Sequence, residues 1–405
     1  MTGLTRDTLA SVAEGAMGQP PSVAIVVGGR FIAFDLARSL ERRAALAGIV
    51  SAYPRARAEG ISPARLRWNP VLGFADAVSR RMLRDRSGRA GYRRAIQFGR
   101  WAARQLPRAD VVQAWTGYAL DSIVAARREG MASVAFRASA HIEAQAELIQ
   151  TEYEEFGFAA PAVYRPMIDR ELEEYAAADA VNVISTFAYR TFIERGHPAS
   201  RLILTPLGVD VGEVAGVART ARTTGPLRVL FLGTVSLQKG VHYLLQAVHG
   251  FNSSAVTVSL VGGATADGHE LLRRFARPGE WKGRVPRGEL RTILSEHDVL
   301  VLPSVQDGFG AVICEAMAAG LPVIATENTG APDVIRDGVD GFIVPARSVD
   351  ALREALEALV SDRGRCVAMG EAAANGIATE RTWDRFADEM LIEYSRLAKR
   401  VRAKE

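Results

Sequence analysis

Cysteine and lysine are both scarce in this chain of 405 residues, at two and four respectively. Cys314 and Cys366 each sit in an apolar helical pattern, which excludes a disulfide framework and predicts reduced core thiols in a reducing compartment. The first twenty residues carry no apolar leader segment, and no run of about 18 uncharged apolar residues follows, so neither export nor a membrane span is expected. The expected location is cytoplasmic. No D-x-D triplet occurs, and the six histidines show no metal-ligand spacing with cysteines or acids, so no metal site is expected. Low-complexity tracts and short repeats are absent as well.

What is present is arginine, unevenly spread. Residues 1–208 carry a surplus of six positive charges, whereas the remainder is slightly acidic. Ten arginines fall between Arg80 and Arg108, interleaved with Tyr92, Phe98 and Trp101 and opposed only by Asp85. Such a segment is a solvated helix face, a surface that meets an anionic substrate, or one for peripheral contact with an anionic membrane, at the inner face of the plasma membrane for a cytoplasmic protein. Nucleic acid is not an expected partner.

Short apolar runs alternate with helical patterns through both halves, as buried parallel strands with crossover helices do. In the first half they cover 23–27, 110–114, 133–137, 180–184 and 201–205; in the second, 228–232, 256–261, 298–302, 322–326 and 342–344. The pattern predicts an α/β chain with two Rossmann-like, doubly wound domains facing each other across a cleft. A Gly- and Thr-rich connection over 208–226 holds the boundary. The expected division is a first domain over 1–210, a second over 211–380 and a C-terminal amphipathic helix over 381–405, with Trp383, Phe386, Met390, Tyr394 and Leu397 on its apolar face.

The most informative stretch is D-G-F-G-A-V-I-C-E, residues 307–315. It follows a strand, V-L-V-L, and leads into a helix closed by Gly320. Gly308 and Gly310 allow close backbone approach to a ligand, and the first helical N–H groups carry partial positive charge suited to phosphate. Glu315 stands among Ala, Ile, Cys and Met, where a carboxylate is costly unless something polar meets it. Leaning back toward the helix mouth, it can accept from the two hydroxyls of a ribose.

With its flanks, D-G-F-G-x-x-x-x-E-A-M-A-x-G-x-P-V-I-A-T resembles the carboxylate motif, E-x7-E, of the family 4 (GT4) retaining glycosyltransferases of GT-B fold. In that fold the C-terminal helix can return to the first domain. The resemblance implies that Asp307 contacts the donor sugar, that the Gly308, Phe309, Gly310 and Ala311 backbone approaches sugar and diphosphate, and that Glu315 holds the ribose. Asp307 is one methylene shorter than the family's glutamate. F-L-G-T-V-S-L-Q-K-G-V-H-Y-L-L, 231–245, resembles the family's diphosphate loop, so Gly233 and Thr234 would line the donor and Lys239 would meet the leaving phosphate. Thr234 stands where the family commonly has arginine, so either another residue such as Arg284 compensates or the clamp is weaker. In W-K-G-R-V-P-R-G-E-L, 281–290, the backbone near Val285 would read the nucleobase.

In the first half, Gly28 and Gly29 follow a strand and would let substrate or diphosphate approach. His141, after another strand, matches in order the histidine that the family presents to the donor sugar. The resemblance implies a metal-independent enzyme without cofactor that moves a sugar from a UDP- or GDP-sugar to the hydroxyl of a glycan, lipid-linked or small-molecule acceptor, in bacterial glycan, polysaccharide or glycolipid assembly. Rival readings on the same fold are a nucleotide-sugar epimerase, a phosphorylase, and a non-catalytic nucleotide-sugar or glycan binding protein.

Overall fold

The structure, a computed structural model, describes residues 19–29, 32–53, 58–72, 88–161, 164–217, 223–277 and 279–403. Residues 80–87 of the arginine-rich segment and 218–222 of the interdomain connection lie outside the described residues. Seven parallel strands form the first sheet: β1 (Val23–Val27), β2 (Leu46–Ser51), β3 (Leu66–Trp68), β4 (Val111–Trp115), β5 (Ala132–Arg137), β6 (Ala180–Val183) and β7 (Leu202–Leu204), in the order β3-β2-β1-β4-β5-β6-β7. Six more form the second: β8 (Leu227–Leu232), β9 (Val256–Val261), β10 (Trp281–Gly283), β11 (Val299–Leu302), β12 (Val323–Thr326) and β13 (Gly341–Val344), in the order β10-β9-β8-β11-β12-β13. Both sheets are doubly wound, and the strand order reverses between β1 and β4 in one and between β8 and β11 in the other. A crevice opens at the carboxyl ends of the strands at such a reversal.

The expected α/β architecture is therefore the observed one. Strands such as β1, V-A-I-V-V, and β11, V-L-V-L, are buried along their whole length, as parallel strands covered by helices on both faces must be. The strands that the sequence pattern missed are β2, β3 and β10. In β2, Gly48 interrupts the apolar run because a Cβ there would lie 3.0 Å from the Arg65 carbonyl oxygen. The other two are three-residue edge strands with exposed residues and no apolar signal. Cys314 and Cys366 are free and buried, as expected.

The amphipathic helix Trp383–Arg402 lies against the first-domain helix Ala33–Arg42. Its apolar face buries Phe386, Met390, Tyr394 and Leu397. The Tyr394 hydroxyl donates to Gln113 on β4, and Arg43 grips both carboxylate oxygens of Asp388 at 2.6 and 2.9 Å. The chain thus crosses between the domains twice, and the two crossings touch: the Val209 N–H donates to the Arg381 carbonyl at 2.8 Å. Gly208 is needed at this junction, since a Cβ would come within 2.9 Å of the Thr382 carbonyl oxygen and of Trp383 Cα.

Candidate active site

Two loops flank the reversal of the second sheet. The one after β8 carries Gly233, Thr234 and Lys239; the one after β11 carries Asp307, Gly308, Phe309 and Gly310. Lys239 Nζ and the Asp307 carboxylate form an ion pair that bridges the loops, with both side chains largely sheltered. Gly240 makes this possible: it has φ 64°, and a Cβ would lie 1.9 Å from the Pro303 carbonyl oxygen, so only glycine lets the loops approach so closely. A second link, Gln238 to Gln306, runs beside the first at 2.9 Å. Phe309 is buried under Gly330, whose N–H donates to the Phe309 carbonyl at 2.7 Å, so its ring anchors the loop.

Glu315 lies in the helix Val312–Ala318, just past Ala311, and meets Arg287 at 3.4 Å. The polar partner that its apolar surroundings demand is therefore Arg287, which also pairs with Glu213 at 2.8 Å. Burial pushes the Glu315 carboxyl above the usual range; Arg287 pulls it partly back and Glu213 adds to the rise. At 3.4 Å to a guanidinium that is 61% exposed, this pair holds Glu315 loosely, so a ligand diol can take the guanidinium's place. Ala311, Glu315, Arg287 and Glu213 face Ile32, Asp35, Arg38 and Tyr53 of the first domain across an interdomain cavity of about 960 Å³.

The other residues named from the sequence fall as follows. Arg284 lies over Gly263, where a Cβ would come 2.4 Å from its Nε. Gly263 in turn accepts from the Val235 N–H at 2.8 Å, which sets Arg284 beside the loop of Thr234. Val285 follows β10, half-buried, two residues before Arg287. Gly28 is covered by the Tyr118 ring, 2.8 Å from where its Cβ would stand, and so has a packing role in addition to any ligand. Gly29 is its half-buried neighbour.

His141 caps the helix Ile142–Glu155 and is 5% exposed, its ring at 4.8 Å from Phe192 and 5.3 Å from Tyr175. Burial, with Arg195 and Arg137 nearby, pushes its pKa down to about 4, so the ring is neutral at pH 7. None of the described contacts joins that ring to Lys239, Asp307 or Glu315. Among the described residues, no group of three or more His, Cys, Asp or Glu side chains could hold a metal ion, and no helix is long and apolar enough to cross a membrane.

The domains are fastened to each other around this site. Glu152, fully buried on the first-domain helix Ile142–Glu155, accepts from Arg347 Nε at 2.7 Å and meets His242 Nε2 at 2.8 Å. Burial acts to raise the Glu152 carboxyl, but His242 and Arg347 outweigh it and hold it below the usual value. Asp333 accepts from the Thr186 N–H at 2.9 Å, Gln306 Nε2 donates to Ser139 Oγ at 2.5 Å, and Gly308 packs against Ala138. Sequence reasoning assigned no role to Arg287, Glu152, His242, Arg347 or Gln306. Of these, only Arg287 and His242 lay within stretches already singled out.

Comparison with solved structures finds the same two-domain architecture in HepE of Anabaena in complex with UDP-glucose, with TM-score 0.65 over 93% of this chain and 99% of that one at 17% identity. A family model described as "Glycosyl transferases group 1" matches residues 226–362. The chain has the GT-B fold, and the stretch 226–362 within its second half is similar to the group 1 glycosyl transferases. The matched stretch contains Lys239, Asp307, Glu315 and Arg284, so both loops and the cleft helix lie inside it, whereas Gly28, Gly29 and His141 lie outside it. Among curated glycosyltransferases, alpha-maltose-1-phosphate synthase of Mycobacterium tuberculosis is 32% identical over 248 residues, 55% of this chain and 64% of that protein. The matched segment thus spans less than two thirds of that relative's length. A GDP-mannose-dependent alpha-(1-6)-phosphatidylinositol monomannoside mannosyltransferase of the same species is 27% identical over 69% of this chain and 75% of its own.

Proposed function

We propose that this chain is a retaining glycosyltransferase of the GT4 type, which moves a sugar from a UDP- or GDP-linked donor to the hydroxyl of a glycan, lipid-linked or small-molecule acceptor. The observation that carries the reading is the Lys239–Asp307 pair at the strand-order reversal, one loop away from Glu315 at the interdomain cavity. A departing nucleoside diphosphate develops negative charge on its oxygens. The Lys239 ammonium, already sheltered and oriented by Asp307, would turn to that charge, helped by loop amides after Asp307. Asp307, released from the ammonium, would accept from a hydroxyl of the donor sugar, and Glu315 from the ribose. Arg284 beside the Thr234 loop would supply the cation that Thr234 lacks. No metal ion or cofactor enters this scheme.

The same reading extends to a membrane surface. Arg93, Arg100 and Arg104 lie exposed along one face of the helix Arg89–Arg104, opposite buried Ala95, Phe98 and Ala102, an arrangement suited to anionic headgroups at the inner face of the plasma membrane.

The test is a panel of UDP- and GDP-sugars, followed by released nucleotide, with and without a bacterial lipid extract and in the presence of EDTA. Acceptor-dependent release that EDTA does not change is expected. Isomerised donor without acceptor would make it an epimerase, phosphate dependence a phosphorylase, and nucleotide binding without turnover a binding protein. Absence of both nucleotide binding and turnover would overturn the reading.

A further inference from the structure

We propose that Gln306 is a positioning residue, whose buried carboxamide couples the approach of the first domain at Ser139 to the geometry of the Lys239–Asp307 pair. The inference rests on the proposed transfer reaction and adds to it a residue that contacts neither donor nor acceptor.

Gln306 is fully buried although it lies on a loop, where polar side chains ordinarily reach water. Its two polar atoms are both engaged, each toward a different element. Oε1 accepts from Gln238 Nε2 at 2.9 Å, and Nε2 donates to Ser139 Oγ at 2.5 Å. Gln238 immediately precedes Lys239, and Gln306 immediately precedes Asp307. The carboxamide pair therefore runs in register with the ion pair, residue beside residue, across the same two loops. The backbone reinforces that register, because the Val305 N–H donates to the Gln238 carbonyl at 3.0 Å.

Ser139 belongs to the other domain, on the loop after β5. The next contact in the chain also crosses the domain boundary: a Cβ on Gly308 would lie 1.9 Å from the Ala138 carbonyl oxygen. Asp307 is thus flanked by one residue that hydrogen-bonds to the first domain and one that packs against it. A carboxamide accepts from one loop through its oxygen and donates to another through its nitrogen with a single flat group. A buried half-satisfied amide is costly, so Gln306 rewards the docked arrangement and penalises the parted one. In that arrangement the two loops are held so that Lys239 and Asp307 face each other.

The test uses the full chain carrying Gln306→Leu, Ser139→Ala, or both. Ser139→Ala removes only the interdomain link and leaves the second domain's own contacts in place, so it remains informative if Gln306→Leu folds poorly. With the donor that the wild type consumes, each variant is expected to lose about tenfold or more in kcat with donor KM changed less than about threefold, since positioning acts on the transition state rather than on ground-state binding. The double variant is expected to lose no more than the worse single one, because the two residues act as one link. Small-angle scattering in saturating UDP or GDP should show both single variants more extended than wild type. Wild-type kcat in Ser139→Ala, additive losses, or unchanged scattering in both variants would each overturn the positioning role. A wild type that consumes no donor sinks the transfer reading instead, and the scattering comparison then still decides whether Gln306 holds the domains together.

Discussion

Replacing Gly308 by alanine adds one methyl group and puts it where the two domains meet. The backbone of Gly308 is outside the left-handed region, so alanine is not strained by its own conformation. The added Cβ would, however, stand 1.9 Å from the Ala138 carbonyl oxygen and 2.9 Å from Ser139 Cα. Carbon–oxygen contacts are tolerated down to about 3.3 Å, so the domains must part by roughly 1.4 Å at this point. Both obstacles are near-backbone atoms at the end of β5, which cannot swing aside as a long side chain would. A retreat of that size takes the Gln306–Ser139 bond, 2.5 Å in the docked arrangement, past the limit for a hydrogen bond. Leaving those buried groups unpaired costs about 1–3 kcal/mol, which corresponds to roughly 5- to 150-fold in kcat/KM. Steady-state kinetics on Gly308→Ala, paired with small-angle scattering of the free protein, reads both consequences. The expected result is a loss in that range together with a measurable opening. Wild-type kinetics with unchanged scattering would refute the reasoning; lost activity without opening would mean that the methyl group acts on the donor and not on the domains.

Three further outcomes follow from the same geometry. Lys239→Ala should lower kcat by about a hundredfold to a thousandfold, the scale of removing one preorganised charge-stabilising group, while circular dichroism and the melting temperature stay near wild type. Because the Glu315 carboxyl is raised above its ordinary value of 4.5, it begins to protonate above that value as pH falls. UDP or GDP affinity measured by calorimetry should therefore decline with falling pH earlier than an ordinary carboxylate would cause, and Glu315→Gln should bind weakly with that pH dependence gone. The Glu152 carboxyl is held below its ordinary value of 4.5, so its contribution to stability is present above that pH and lost as pH falls through its lowered folded value. Glu152→Gln, which leaves Arg347 facing a neutral partner, should lower the unfolding free energy by about 3 kcal/mol at neutral pH; a melting curve like that of wild type at pH 7 would count against the interdomain triad.

Most of the strands that the sequence made plain are enclosed by their own domain, the edge strands β7 and β13 excepted. β1, β9 and β11 are continuous or alternating apolar runs because helices cover them, and the covering helices are neighbours in the chain. β2 escaped notice because Gly48 answers to the Arg65 carbonyl in the next strand's approach, a constraint set by three-dimensional packing. β3 and β10 are edges whose exposed residues carry no burial signal at all. The helix Trp383–Arg402 was legible as amphipathic, and its 3.6-residue apolar stripe required a covering surface. That the surface is the first domain depends on Arg43 meeting Asp388 and Tyr394 reaching Gln113, both pairings hundreds of residues apart.

The candidate site divides along the same line. Asp307, Gly308, Gly310 and Glu315 could be read together because one loop and one helix turn supply them all, and local spacing fixes their relation. Lys239 could be placed beside them only through the likeness of its loop to a known one. Glu152 shows why the remainder was hidden. It sits in E-Y-E-E, where Glu154 and Glu155 are exposed and Glu152 is the one glutamate that is buried. Helical phase turns it away from Glu154, but Glu155, three residues on, lies on its side of the helix, and phase cannot say that the facing element belongs to another domain, or that His242 and Arg347 wait there. The Gln238–Gln306 pair is similarly silent, since two glutamines on two loops look solvated until the loops are seen to touch. These contacts are also what join the halves: Glu315 is exposed to a cavity lined by both domains, and Asp307 is flanked by residues that reach across. A chemistry read from the second domain alone therefore depends on bonds that only the assembled pair of domains can make.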